Sequence, residues 1–128
     1  MKKLLILLFS ILISFNSYGE WTKSGTNVGD SHYLDADRIK ENGGYVYFWT
    51  MTDYLKPDEY GDMSNQMYFQ GDCGVMRVKV LSFIFYSQPM GNGAGKSSVP
   101  VPETAGWNYV PTGSIIENTL NMVCDYVN

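Results

Sequence analysis

Histidine and cysteine are both scarce in this chain of 128 residues, which contains one histidine, His32, and two cysteines, Cys73 and Cys124. A histidine that acts as a general base needs a nucleophile nearby, and no recognisable nucleophile motif occurs in the sequence. His32 lies beside Tyr33 in a strand-like segment, where a lone histidine is more often a packing or surface residue. We therefore predict no catalytic residue and a protein that is not an enzyme.

Basic residues are few, and two of the nine, Lys2 and Lys3, lie at the extreme N-terminus. Beyond residue 19, seven basic residues face thirteen acidic ones, a net charge of −6. Binding to phosphate backbones draws on clustered lysine and arginine, and here these residues are scattered along the sequence. We expect no nucleic-acid partner.

A long apolar run is also missing. Lys2 and Lys3 precede an apolar stretch from Leu4 to Ile13, and a more polar stretch ends at Gly19. About ten apolar residues are too few for a membrane-spanning helix, which needs about 20, and the pattern is typical of a secretory signal peptide; a short membrane anchor is the alternative. We predict a signal peptide over 1–19 and a single exported domain over 20–128, with no membrane span after cleavage.

The cysteine that a bacterial lipoprotein carries directly after its apolar stretch is absent from this sequence. We therefore expect a periplasmic or secreted protein that is not a lipoprotein.

Motifs for cofactors and metals are incomplete. Residues 90–98, MGNGAGKSS, resemble a phosphate-binding loop, but Met90 stands where the motif requires glycine, and a proline-rich stretch follows instead of a helix. Two acidic groups lack the fixed spacing of a calcium-binding EF-hand loop. The acids also leave open a carboxylate pair for glycoside chemistry, although nothing in the sequence selects one. We predict no cofactor and no metal; the acidic groups are Asp35 and Asp37, and Asp53, Asp58, Glu59 and Asp62.

Aromatic residues, in contrast, are abundant, with ten tyrosines and three tryptophans. They favour strands, where large side chains pack on a pleated surface. Asn42 and Gly43 form a strong hairpin signal before the clearest strand, 45–54, which carries large residues on both faces and should be central. Residues 88–106 are rich in Gly, Ser and Pro and predict an irregular connection. The predicted strands are 20–28, 31–39, 45–54, 64–71, 73–86 and a short edge strand at 107–110.

The C-terminal segment has a helical pattern. Ser114 and Glu117 form a capping box. An apolar stripe then follows at helical spacing, so this short helix should dock on the sheet. The stripe consists of Ile116, Leu120, Val123, Cys124 and Val127.

Cys124 lies on that docking stripe, and Cys73 precedes a predicted strand. Disulfides persist in oxidising compartments, so we predict a Cys73–Cys124 bond that tethers the helix to the sheet. Closing a loop of about 50 residues is worth about 4 kcal/mol in the chain-entropy treatment. Two free thiols or an intermolecular bridge are the alternatives.

Several short motifs follow one another along the chain: Trp21, Tyr33-Leu34-Asp35, Arg38-Ile39, Asn42-Gly43, Trp49, Asp53-Tyr54, Asp72-Cys73, Arg77, Tyr86, 90–93, Trp107, Pro111, Gly113-Ser114 and Cys124. In this order they resemble the surface-adhesin protein E-like family of exported bacterial domains. The resemblance implies a single-domain α+β fold: a curved antiparallel β-sheet of about six strands, with a C-terminal α-helix docked on one face and tethered by the disulfide. It also implies dimerisation and adhesion to host extracellular-matrix and plasma proteins.

We therefore predict an exported, adhesin-like binding domain without catalytic activity, which recognises a host or envelope protein through a strand edge or an exposed aromatic surface. The alternatives are a periplasmic structural or stress-related envelope component, or a small-ligand carrier. The partner-binding residues are not identified by the sequence.

Overall fold

The computed structural model describes residues 21–128, so the predicted signal peptide lies outside the described residues. Residues 21–128 form eight strands and one α-helix. They are β1 (Trp21–Asn27), β2 (Asp30–Asp35), β3 (Lys40–Asn42), β4 (Tyr45–Asp53), β5 (Ser64–Asp72), β6 (Arg77–Tyr86), β7 (Gly95–Ser98), β8 (Asn108–Tyr109) and α1 (Ile115–Val127).

All the strands belong to one antiparallel sheet. Six of them follow the order β1-β2-β4-β5-β6-β7, while β3 pairs with β4 and β8 pairs with β6. The predicted α+β class, with one helix on an antiparallel sheet, is confirmed, and β4 is central as expected. The sheet has more strands than the six predicted because two short strands, β3 and β7, form in turn-rich segments beside the long strands.

One face of the sheet, which we call the helix face, carries the hydrophobic core. Val46 and Phe48 of β4 alternate with residues of the opposite face, and both are buried beneath α1 together with Leu120. Their cross-strand neighbour Phe69 stacks on Phe48 with ring centroids 5.3 Å apart. Because successive side chains of β4 point to opposite faces, Val46 and Phe48 both point toward the helix.

The helix begins and docks as the sequence predicts. The Ser114 hydroxyl accepts a hydrogen bond from the Glu117 amide at 3.1 Å, and the Glu117 carboxylate accepts one from the Gly113 amide. Leu120 and Val123 are fully buried. These caps define the first turn of the helix, and the apolar stripe defines which side faces the sheet.

The two cysteines form the predicted disulfide, with Cα atoms 5.9 Å apart and 51 residues between them in sequence. Cys124 is buried in the core cluster and Cys73 packs against it. The bond therefore joins the last turns of α1 to the connection between β5 and β6.

Gly71 of β5 lies directly beneath the helix. A Cβ atom there would approach Cδ1 of Leu120 to 2.8 Å and Cγ2 of Val46 to 2.9 Å. Contacts that short require neighbouring atoms to move, so the absence of a side chain at Gly71 sets how closely α1 packs on the sheet.

Three sequence-based predictions differ from the structure. The strand predicted over 31–39 ends at Asp35, because the Asp35 carboxylate accepts a hydrogen bond from the Asp37 amide and caps a 3-10 turn at Ala36–Arg38. The strand predicted from Cys73 begins at Arg77, because the Asp72 carboxylate accepts a hydrogen bond from the Gly74 amide and holds a turn there. The connection predicted to be irregular over 88–106 contains β7, which pairs with the apolar end of β6. Without β7, the backbone N–H and C=O groups along this edge of β6 would have no partners, and this explains why a Gly- and Ser-rich segment forms a strand there.

Within residues 21–128, no helix is long and apolar enough to cross a membrane.

Candidate binding surface

The face of the sheet opposite α1 carries a band of large aromatic side chains, and we call it the aromatic face. Tyr45, Tyr47 and Trp49 alternate along β4, and Tyr68 lies opposite Trp49 on β5. Trp107, just before β8, places its ring 5.3 Å from that of Tyr45. All five rings are half-buried, so each keeps surface that a partner could contact.

The rings contact one another along the band. Trp49 stacks on Tyr68 with centroids 4.8 Å apart, and Tyr68 is 6.3 Å from Tyr47. The Tyr47 hydroxyl accepts a hydrogen bond from the side-chain amide of Gln70. Aromatic pairs at such distances stabilise one another beyond their buried area, so the band is held in place before any partner arrives.

Cationic side chains lie over both ends of the band. The Arg38 guanidinium is 5.3 Å from the Trp49 ring, while Arg77 and Lys79 lie 4.5 Å and 5.7 Å from the Trp107 ring. Cations at these distances are attracted to the negative face of an indole ring. Aromatic and cationic groups are therefore combined on one surface.

Two carboxylates hold the guanidinium groups in position. Oδ2 of the buried Asp35 accepts a hydrogen bond from Nε of Arg38 at 2.6 Å, and Oδ2 of Asp72 accepts one from Nε of Arg77 at 3.1 Å. The other oxygen of Asp35 accepts a hydrogen bond from the Asp37 amide. Charge-assisted bonds of this kind limit the motion of both arginines.

The helix face has a groove of about 360 Å³ between the N-terminal half of α1 and the strands that it leaves uncovered. Met67 and Ile116 contribute apolar walls. Ser24 is buried there, and its hydroxyl has no hydrogen-bond partner among residues 21–128. The groove is open to solvent, so it is a lined depression and not an enclosed cavity.

His32 borders the same groove, and its Nδ1 lies 3.1 Å from the Thr52 hydroxyl. Burial lowers the pKa of His32, and the nearby Asp30 carboxylate opposes that shift. A hydrogen-bonded imidazole with a lowered pKa is neutral near pH 7, and Thr52 orients it in the wall of the groove.

Tyr54 is half-buried directly after β4, at the start of the loop over 54–63, which contains Asp58, Glu59 and Asp62 and which we call the acidic loop. Burial raises the pKa of Tyr54; the hydrogen bond from the Asn65 amide opposes the shift, and Asp58, Asp62 and Asp30 add to it. The phenol therefore stays protonated, and the hydrogen bond that it accepts from Asn65 joins the end of β4 to β5.

The acidic groups singled out in the sequence have local partners. Asp58 accepts hydrogen bonds from the amides of Tyr60 and Asp62, and Asp53 accepts one from the Met90 amide. Within residues 21–128, no three or more histidine, cysteine, aspartate and glutamate side chains cluster closely enough to hold a metal ion. The segment that resembles a phosphate-binding loop forms a 3-10 turn followed by β7.

The sequence does not predict that cationic side chains lie over these rings, because Arg38, Arg77 and Lys79 lie on different elements from the rings they contact. One signal is present in the sequence: Arg77 and Lys79 are two residues apart on β6, and this spacing places both side chains on one face of the sheet. Which rings they cover depends on strand order, and no local pattern encodes that.

Comparisons with known proteins agree on one relationship. The family described as Surface-adhesin protein E matches residues 21–125. Crystal form II of Haemophilus influenzae protein E is similar in fold, with a TM-score of 0.59, 17% sequence identity, and coverage of 76% of this chain and 83% of that one. Protein E from non-typeable Haemophilus influenzae has a TM-score of 0.57 and 17% identity, and the match covers 82% of this chain and 75% of that one. No curated protein matches the chain.

Proposed function

Because this chain belongs to the surface-adhesin protein E family, we propose that it is an exported binding domain without catalytic activity and that it recognises a host or envelope protein. The binding surface in this proposal is the aromatic face. The single observation that carries it is the band of half-buried rings, from Trp49 to Trp107, on the sheet face opposite α1.

The arrangement of the rings supports protein recognition. Trp, Tyr and Arg are the residues that most often dominate the binding free energy of protein interfaces. Here they are combined on a disulfide-tethered sheet, and a surface that is rigid before binding loses less conformational entropy on association. The aromatic face therefore has the residue types and the rigidity that a protein-binding surface needs.

A binding assay tests this function. The chain from residue 20 is passed over immobilised host matrix proteins, plasma proteins and an envelope extract, and retained partners are quantified. Trp49→Ala should weaken retention of any specific partner about tenfold or more, the loss typical of an interface hot spot. Tyr126→Ala is the matched control, because Tyr126 is an aromatic residue that is 63% exposed on α1. Equal losses in both variants would contradict the assignment to the aromatic face.

The location of the protein is part of the same proposal. We propose cleavage of a signal peptide near residue 19, release of one domain over 20–128, and a periplasmic or secreted pool of protein, as a monomer or a homodimer. N-terminal sequencing of the exported protein, cell fractionation and sedimentation test these points separately. A strictly periplasmic pool would favour an envelope partner over a host partner.

The groove on the helix face favours one second candidate function, the carriage of a small apolar ligand. The unpartnered hydroxyl of Ser24 and the imidazole of His32 could orient such a ligand against Met67 and Ile116. Titration with a fluorescent apolar dye tests this function, and Ile116→Lys should abolish a saturable signal. A signal that this variant leaves unchanged would place the dye elsewhere.

A further inference from the structure

Basic side chains are concentrated on the aromatic face, although the protein as a whole is acidic. Arg38, Arg77 and Lys79 contact its rings. By strand register, Lys40 lies opposite Tyr47, and Lys23 lies opposite Tyr33, which in turn lies opposite Met51. Cross-strand partners share a face of the sheet, so both lysines lie on the aromatic face. Five of the seven basic residues beyond residue 20 thus project from one side of the sheet, and the other two are Lys56 and Lys96.

The acidic residues are distributed differently. By strand register, the carboxylates on the aromatic face are those of Asp35, Asp53 and Asp72. Asp35 and Asp72 pair with Arg38 and Arg77, and Asp53 accepts a hydrogen bond from the Met90 amide at the far end of β4. Lys40 and Lys79 have no carboxylate within salt-bridge distance among the described residues. This side of the sheet therefore carries an excess of positive charge.

The distant acidic loop does not cancel this local charge. At physiological ionic strength, interactions between exposed charges are largely screened beyond about 8 Å. Successive residues of a strand are about 3.3 Å apart, so Trp49 and Tyr45 lie about 13 Å and about 26 Å along β4 from Asp53, which precedes the acidic loop. A partner segment on the band therefore meets the local cations and not the net charge of −6.

The two arginines are prepared to bind further carboxylates. Both use Nε for their internal carboxylate partners, and a guanidinium has further N–H donors on its two terminal nitrogens. Stacking on Trp49 and Trp107 restrains both groups. A planar, restrained guanidinium fork matches the geometry of a second carboxylate.

We propose that the aromatic face is the docking surface for an acidic, extended segment of a protein partner. Carboxylates of the partner pair with Arg38 at one end and with Arg77, Lys79 and Lys40 at the other, while its apolar or aromatic side chains lie on the rings between them. This inference rests on the proposed binding function and adds the charge and shape of the partner.

The test uses a short synthetic peptide that alternates glutamate with tyrosine, and the chain from residue 20. The matched peptide has glutamine in place of every glutamate. Fluorescence anisotropy at about 0.05 M and about 0.5 M NaCl should show specific binding of the acidic peptide that weakens strongly with salt. The glutamine peptide should bind much more weakly at low salt.

Two double variants distinguish the effect of charges on the aromatic face from the effect of the net charge of the protein. Lys40→Gln with Lys79→Gln should weaken binding of the acidic peptide about tenfold, from the loss of two exposed charge pairs. Lys56→Gln with Lys96→Gln changes the net charge equally at sites off the face, and should leave the affinity within about twofold. Equal effects of the two double variants would overturn the proposal, as would equal binding of the two peptides.

The remaining outcomes assign the surface to another occupant. Concentration-dependent self-association that Lys40→Gln with Lys79→Gln abolishes would overturn the proposal in favour of a second copy of this chain. Tighter binding of heparin than of the acidic peptide would overturn it in favour of an anionic polysaccharide. Retention of a host or envelope protein that both double variants leave unchanged would overturn the acidic docking surface while the proposed binding function stands.

Discussion

The two faces of the sheet are built from the same strands but differ in what they bury. On β4, Val46 and Phe48 are at most 3% exposed beneath the helix, whereas Tyr47 and Trp49 on the opposite face are half-buried. On the helix face, α1 is tethered by the disulfide and covers the hydrophobic core. On the aromatic face, the rings of the band and the cations beside them keep exposed surface, whereas Met51, farther along β4, is fully buried next to the 3-10 turn at Pro89–Gly91.

This difference separates stability from recognition. Apolar burial on the helix face supplies the hydrophobic contribution to folding, so changes there should appear mainly as lost stability. Rings on the aromatic face are restrained by stacking but keep exposed surface, so changes there should appear mainly as lost binding. Because successive residues of a strand point to opposite faces, neighbouring residues can serve the two purposes independently.

The largest expected effect is the loss of the tether on the helix face. Replacing both Cys73 and Cys124 by serine should reduce the free energy of unfolding by about 4 kcal/mol, because the unfolded chain is no longer closed into a loop. Thermal unfolding measures the loss, and amide hydrogen exchange should show the greatest loosening at 114–128. Equal melting temperatures of the native protein with and without reductant would contradict the stabilising role of the bond.

Phe69 and Tyr68 compare the two faces at adjacent positions of β5. Phe69→Ala should cost about 3 kcal/mol, since Phe69 is buried and leaves a cavity beside Phe48. Tyr68→Ala should cost about 1 kcal/mol, mainly the lost stacking with Trp49. Urea unfolding of both variants measures the difference. The contrast between the faces fails if Tyr68→Ala destabilises as much as Phe69→Ala.

Gly71→Ala tests how tightly the helix face is packed. The added methyl group would lie 2.8 Å from Cδ1 of Leu120, and relieving such overpacking typically costs about 2 kcal/mol. Gly74→Ala is the control, because its Cβ would meet only a carboxylate oxygen of Asp72, at 3.4 Å. The melting temperature of Gly71→Ala should fall clearly below that of Gly74→Ala, and similar values would mean that α1 can shift away from the sheet.

The smallest expected effect comes from His32, at the open edge of the helix face. Burial lowers the pKa of His32 in the folded protein, so the unfolded chain binds the proton more tightly. The contribution of His32 to stability is therefore fully present above about pH 6.5 and is lost as the pH falls through that value toward the lower folded pKa. His32→Gln should show a smaller loss of stability than the native protein between about pH 7.5 and pH 5.5. Identical pH profiles would show that His32 does not contribute.

Much of the scaffold follows from local sequence. The Asn42–Gly43 hairpin signal, the alternation of β4 and the capping box at Ser114 each act within a few residues, and the structure contains the elements that they predict. The strand start at Cys73 was wrong because the Asp72–Gly74 turn outweighs the apolar alternation. The segment over 88–106 was wrong because β7 forms by pairing with β6, which is a tertiary effect.

The sequence by itself determined the apolar stripe that carries Cys124, the order of the main strands and helix along the chain, and the family to which the chain belongs. Only the tertiary structure decided that Trp107 lies beside Tyr45 and that cations from three separate elements lie over the two ends of one aromatic band. The physical reason is the distance along the sequence over which each interaction acts. Capping and alternation depend on neighbours a few residues away, whereas the aromatic face exists only after distant strands pair in one register.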